Sequence, residues 1–138
     1  MAPRPVVGPV PPLALPPRVL HVLQSVRAVC WHPQGAELVT TGGTHLTYYD
    51  AHNGSTLRAL EVGEGAVSSV ALDASGEVLV TGGSDQLVKL WRFAEGQPLA
   101  EGRGHSGQVE RVRFSPDGKT VVSVGGEGAI CVWSTKAP

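Results

Sequence analysis

Between Val109 and Phe114 the chain reads VERVRF, apolar and polar residues interleaved as in a strand with one buried face. Ser115-Pro116-Asp117-Gly118 then breaks the run with tight-turn residues, and strand character resumes from Lys119 to Val124. A glycine-rich turn, Gly125-Gly126-Glu127-Gly128, leads into Ala129 to Trp133, where Ile130 and Val132 share one side and Cys131 and Trp133 the other. Three short β segments joined by two turns are predicted.

The same pattern occurs twice more upstream. The middle copy runs Val67 to Leu72, Asp73-Ala74-Ser75-Gly76, Val78 to Thr81, Gly82-Gly83-Ser84-Asp85 and Leu87 to Trp91. The first runs Val26 to Trp31, His32-Pro33-Gln34-Gly35, Leu38 to Thr41, Gly42-Gly43-Thr44-His45 and Leu46 to Tyr49. Val26, Val67 and Val109 fall into line at steps of 41 and 42 residues, as do Gly35, Gly76 and Gly118. Such a period marks a repeat architecture. A fourth short strand is predicted after the first two copies, near Ser55 to Val62 and near Gln97 to Gly102.

Gly104-His105, Ser115-Pro116-Asp117-Gly118, Ser84-Asp85 and Leu90-Trp91, in this order and spacing, resemble the WD-repeat family of β-propellers. The likeness covers Val26 to Trp133. That family uses roughly 40–45 residues per four-stranded blade. The resemblance implies an all-β fold: a partial β-propeller of about three four-stranded antiparallel blades in an incomplete ring. Residues 25–62, 63–102 and 103–138 would be the blades, the last lacking its outer strand, and residues 18–24 the outer strand of a preceding blade.

The resemblance also implies a hydrogen-bonded chain within each blade, from a His at its start through a turn Asp and a strand Ser or Thr to a Trp. The matching residues in the third copy are His105, Glu127, Ser123 and Trp133, with Glu127 one methylene longer than the usual Asp. The second copy supplies Asp85, Thr81 and Trp91, but its His position falls on Gly63, so its chain is expected to lack a partner. The first copy has Val22 at the His position and Tyr49-Asp50 in place of Trp-Asp. Each such bond contributes about 0.5–1.5 kcal/mol net, and a stranded buried partner costs about 1–3 kcal/mol. The third copy is therefore expected to be the stiffest.

Composition narrows the function. The chain has 138 residues, is 41% hydrophobic and carries a net charge of −1, with no basic stripe to serve as a nucleic-acid or acidic-membrane footprint. No apolar run approaches the roughly 18 residues of a membrane-spanning helix. Cys30 and Cys131, 101 residues apart, match no metal-ligand spacing and fit a reducing, cytoplasmic compartment. Residues 1–17 hold seven of the eleven prolines, which precludes a continuous helix and predicts a disordered arm. Its Pro9 to Pro12 spacing also suits a polyproline-binding groove.

Three blades cannot close a ring, since propellers take four to eight. The chain is thus expected to be a carboxy-terminal propeller fragment or short isoform, with open flanks that bind further blades of a longer parent or a second copy.

Local motifs for chemistry fail. In Gly104-His105-Ser106-Gly107-Gln108 the glycine that a nucleophile elbow needs after the Ser is displaced, and no glycine pair is followed by the Gly-Lys-Ser/Thr of a phosphate cradle. The aspartates Asp50, Asp73, Asp85 and Asp117 lack calcium-loop spacing. Asn53-Gly54-Ser55 fits a glycosylation acceptor but equally a hairpin turn, which is the default, as turn chemistry is for Ser115-Pro116 against proline-directed phosphorylation. No catalytic residue, cofactor or metal is predicted.

The expected function is a non-catalytic scaffold for protein partners, with a propeller-based hydrolase as the alternative. The proline- and glycine-rich style of repeat resembles the large WD-repeat proteins of centrioles and cilia, which implies microtubule-based assembly. Ser84, Arg103, Gln108 and Glu110 are the candidate partner contacts, on the face bearing the second turns and the Gly-His loop.

Overall fold

The structure, a computed structural model, describes residues 9, 10, 19 and 25–135. The expected proline arm and the outer strand over 18–24 fall, apart from residues 9, 10 and 19, outside the described residues. Eleven strands and no helix form among them.

The first sheet comprises β1 (Ala28–Trp31), β2 (Glu37–Gly42), β3 (His45–Asp50) and β4 (Thr56–Glu61) in sequential order. The second repeats this with β5 (Val67–Leu72), β6 (Val78–Gly83), β7 (Leu87–Arg92) and β8 (Pro98–Arg103). The third has β9 (Val109–Phe114), β10 (Thr120–Gly125) and β11 (Ile130–Ser134). All pairings are antiparallel. The ring is not closed.

Turn chemistry fixes each hairpin. Asp73 accepts the backbone N–H groups of Glu77 and Val78, and Asp117 accepts the Ser115 hydroxyl and the Lys119 N–H, so each carboxylate closes its own loop. The Asn53-Gly54 pair forms a turn, Gly54 taking a positive φ of 76° and Asn53 accepting the Ser55 N–H. Several strands reach one or two residues further into the glycine turns than their apolar pattern shows, because Gly42, Gly83 and Gly125 still make ladder pairings.

The core lies in two seams between sheets, as expected where each sheet buries a face against its neighbour. Val39, Leu46 and Tyr48 of the first sheet meet Val70, Leu79, Trp91 and Phe93 of the second. Ala71, Val80 and Val88 of the second meet Val109, Val112 and Val121 of the third. Ser68 donates its hydroxyl to the carbonyl of Val109, and Val112 N–H donates to the Ser69 hydroxyl, so polar groups on β5 pair across the second seam. Two small hydroxyl residues on β5 thereby let β9 approach closely without stranding backbone groups.

Candidate functional site

In the third blade the strands and the Gly-His loop converge on Ser123, which is almost fully buried in β10. Trp133 Nε1–H donates to its hydroxyl over 2.8 Å, and His105 Nε2 lies 2.6 Å from the same oxygen. His105 Nδ1 is 2.8 Å from Glu127 Oε2, which also accepts the Ser106 N–H at 3.1 Å. The proton count closes if Ser123 accepts from Trp133 and donates to Nε2 while Nδ1–H donates to Glu127, a neutral imidazole in one tautomer. Burial pushes the Glu127 carboxyl up, but hydrogen bonds from its own backbone N–H, His105 and Ser106 outweigh this and hold it below its ordinary 4.5. Glu127, one methylene longer than Asp, thus reaches the imidazole.

Trp133 itself is only half-buried, packed against Gly102 of the preceding blade and Gly104 of its own Gly-His loop. Trp91, its counterpart in the second blade, is 6% exposed and donates to the Thr81 hydroxyl at 3.1 Å.

In the second blade, where Gly63 stands at the His position, Asp85 meets a different side chain. Lys89 of β7 places its ammonium 3.0 Å from Asp85 Oδ2 and donates to the Val62 carbonyl at 3.1 Å. A Cβ on Gly63 would lie 2.7 Å from Lys89 Nζ, so the lysine stands where a histidine at Gly63 would project. Asp85 also accepts the Leu87 N–H at 3.1 Å. Asp85 closes its turn and anchors Lys89; among the described bonds it makes none to Thr81 or Trp91.

The loops carrying these groups form one rim across two blades. The exposed Ser84 accepts the Ala66 N–H and returns its own N–H to the Ala66 carbonyl. Gln86 extends its amide to the Ser106 carbonyl at 3.1 Å, tying the second turn of one blade to the Gly-His loop of the next. Gln86 does so with a φ of +70°, at the place where the third blade has Gly128 at +92°. A non-glycine residue rarely adopts this region. Gly126 N–H donates to the Gln108 carbonyl at 2.8 Å, closing the rim at the third blade.

Of the candidate contact residues, Ser84 and Arg103 are exposed and Gln108 and Glu110 half-buried. Arg103 pairs with Glu101 over 3.2 Å in open solvent, where such a pair contributes little. Sequence reasoning missed Lys89 and Gln86. The Asp85-to-Lys89 spacing, and a glutamine where the neighbouring copy has glycine, were the available signals.

No group of three or more His, Cys, Asp and Glu side chains among the described residues is arranged to hold a metal ion. Cys30 and Cys131 are free thiols, and burial pushes the Cys30 thiol up to about 11, against a smaller opposing pull from Arg113. At that value the thiolate needed for nucleophilic chemistry is scarce at neutral pH.

Comparison with known proteins agrees with this architecture. The family model described as "WD domain, G-beta repeat" matches residues 43–92 and 96–134. Cilia- and flagella-associated protein 52 of Chlamydomonas reinhardtii is 40% identical over 114 residues, covering 81% of this chain and 18% of that protein. Its Bos taurus namesake is 38% identical over the same span. The chain therefore spans under a fifth of the length of these relatives, at 18%. The solved structure of U3-55K superimposes with a TM-score of 0.79 at 18% identity, covering 86% of this chain and 38% of that one, a likeness of fold alone. Repeats in register, antiparallel four-stranded blades and a matching family model together place the chain in the WD-repeat family.

Proposed function

We propose that the chain is a non-catalytic scaffold that presents its upper rim to a protein partner in a ciliary or centriolar assembly within the cytoplasm. The observation that carries this reading is the hydrogen-bonded rim itself. Ser84, Gln86, Ser106 and Gln108 lock loops from two blades into one rigid surface, the preorganisation that lowers the entropic cost of binding. Ser84, Arg103, Gln108 and Glu110 are the contacts on or beside that rim. The relatives bearing cilia- and flagella-associated names support the cellular setting. Further blades of a longer parent, or a second copy, cover the exposed flanks of the first and third blades. Residues His105, Glu127, Ser123 and Trp133, with Asp85, Thr81 and Trp91, serve the scaffold as internal braces.

The test is retention in axonemes. The tagged chain is expressed in ciliated cells beside a variant carrying Ser84→Ala, Arg103→Glu, Gln108→Ala and Glu110→Lys, and both are followed after detergent extraction of the cilium. The parent is expected to stay with the axoneme and the equally folded variant to wash out. Equal retention would remove the rim from the reading, and washout of both would remove the ciliary setting.

A further inference from the structure

The second and third blades solve one structural problem with different side chains. In the third, an imidazole enters from the loop before the inner strand and meets the acidic group of the turn, His105 to Glu127 at 2.8 Å. In the second, an ammonium enters from a different element, β7, and meets the acidic group of the equivalent turn, Lys89 to Asp85 at 3.0 Å. The positions correspond by register: Lys89 lies across from Thr81, and Cys131 across from Ser123. Gly63 and His105 likewise stand 42 residues apart, the step of the repeat.

We propose that Gly63 and Lys89 form one interdependent unit that replaces the histidine brace of the second blade, with Lys89 positioning the inter-blade loop over residues 62–66. The two groups compete for the same place beside Asp85. A Cβ at position 63 would stand 2.7 Å from Lys89 Nζ, so a histidine there requires the flexible lysine to withdraw its ammonium from Asp85 and Val62. Where the third blade has its histidine, the β11 position holds the small Cys131, its Sγ 4.0 Å from His105 Nδ1.

Lys89 is well placed to position the loop. Its side chain is 15% exposed and that of Asp85 23%, so water screens the pair only in part. The same ammonium holds the Val62 carbonyl, fixing the chain as it passes from β4 to β5. The neighbouring residues Ala66 and Ser84 exchange two further bonds, which bring that loop into the rim. The substitution also divides the brace. In the third blade Trp133, Ser123, His105 and Glu127 are joined in one unbroken series. In the second, Trp91 with Thr81 and Lys89 with Asp85 are separate pairs. This inference stands whether or not the rim binds a partner.

A double-substitution cycle in the full 138-residue chain tests it. Thermal melting and amide hydrogen exchange are read for Lys89→Thr, Gly63→His and the two combined. Lys89→Thr is expected to lower the melting temperature and speed exchange at Ala66 and Leu87. Gly63→His alone is expected to lower the melting temperature by displacing the ammonium from Asp85 and the Val62 carbonyl. The double variant is expected to regain more than half of the summed loss and to slow exchange at both amides, because the imidazole then reaches Asp85 in the cleared space. Should both single variants fail to fold, a folded double variant supports the proposal and an unfolded one overturns it. Strictly additive losses, or unchanged exchange at Ala66 and Leu87 in Lys89→Thr, would also overturn it.

Discussion

Tyr48 of β3 and Phe93, just beyond β7, stack with ring centroids 4.8 Å apart and interplanar angle 15°, joining the first blade to the second. Arg58 of β4 covers the pair, its guanidinium 4.3 Å from the Tyr48 ring centre and 5.4 Å from that of Phe93. The same guanidinium donates to the carbonyls of Phe93 and Ala94. A planar fork that both stacks and donates twice is a task for arginine rather than lysine. Arg58→Ala is expected to lower stability by about 1–2 kcal/mol. Arg58→Lys should recover little of that loss, and urea denaturation of the three proteins measures both.

Trp91 and Trp133, at equivalent places in the second and third copies, are not equally buried, which separates their expected costs. Trp91→Ala removes a ring only 6% exposed and should cost about 3–5 kcal/mol. Trp133→Ala removes a half-buried ring and should cost less, about 1.5–3 kcal/mol. Equal losses on thermal melting would mean that Trp133 is more enclosed than the fold shows.

Ser123 carries two partners on one hydroxyl, so Ser123→Ala should cost about 1–3 kcal/mol by stranding the Trp133 and His105 nitrogens together. In a double-substitution comparison with Trp133→Phe the losses should fall short of additivity, since both act through the same oxygen.

Acid should weaken the third blade in a way that depends on Glu127. Its carboxyl titrates below its ordinary 4.5 in the folded chain, so its stabilising contribution is complete above that value and is lost as pH falls through the lower folded one. The parent should therefore be more stable than Glu127→Gln at neutral pH, and the gap should close in acid. Thermal melts from neutral pH down to well below the carboxylate range test this; a gap that persists in acid would show that the negative charge is not what matters.

Ile130 is 71% exposed and Val132 72%, side by side on the outer face of β11, while Val29 and Trp31 of β1 are each 59% exposed. Apolar groups grouped in this way favour association. The chain is expected to self-associate, and Ile130→Lys with Val132→Lys to shift it toward monomer in sedimentation velocity. A parent that sediments as a monomer without binding an apolar dye would contradict this.

Much of this architecture is legible before any coordinates, for a local reason. Strand alternation, turn residues such as Ser115 to Gly118, and the 41- and 42-residue steps are properties of neighbours in sequence. They fix eleven strands and their grouping because antiparallel hairpins form between adjacent segments. The likeness of the third copy to its family also named His105, Glu127, Ser123 and Trp133 together. Lys89 was overlooked because a missing histidine reads as a missing bond, and a string of letters does not show which distant side chain turns into the space that Gly63 leaves.

The order of residues thus determined the repeat, the strands and the turns, each governed by contacts a few positions apart. Tertiary structure decided the rest: that Lys89 meets Asp85 and Val62, that Trp91 is enclosed while Trp133 is half open, and that Arg58 caps Tyr48 and Phe93. These depend on how one sheet is set against the next, where burial and available space act between residues far apart in the chain.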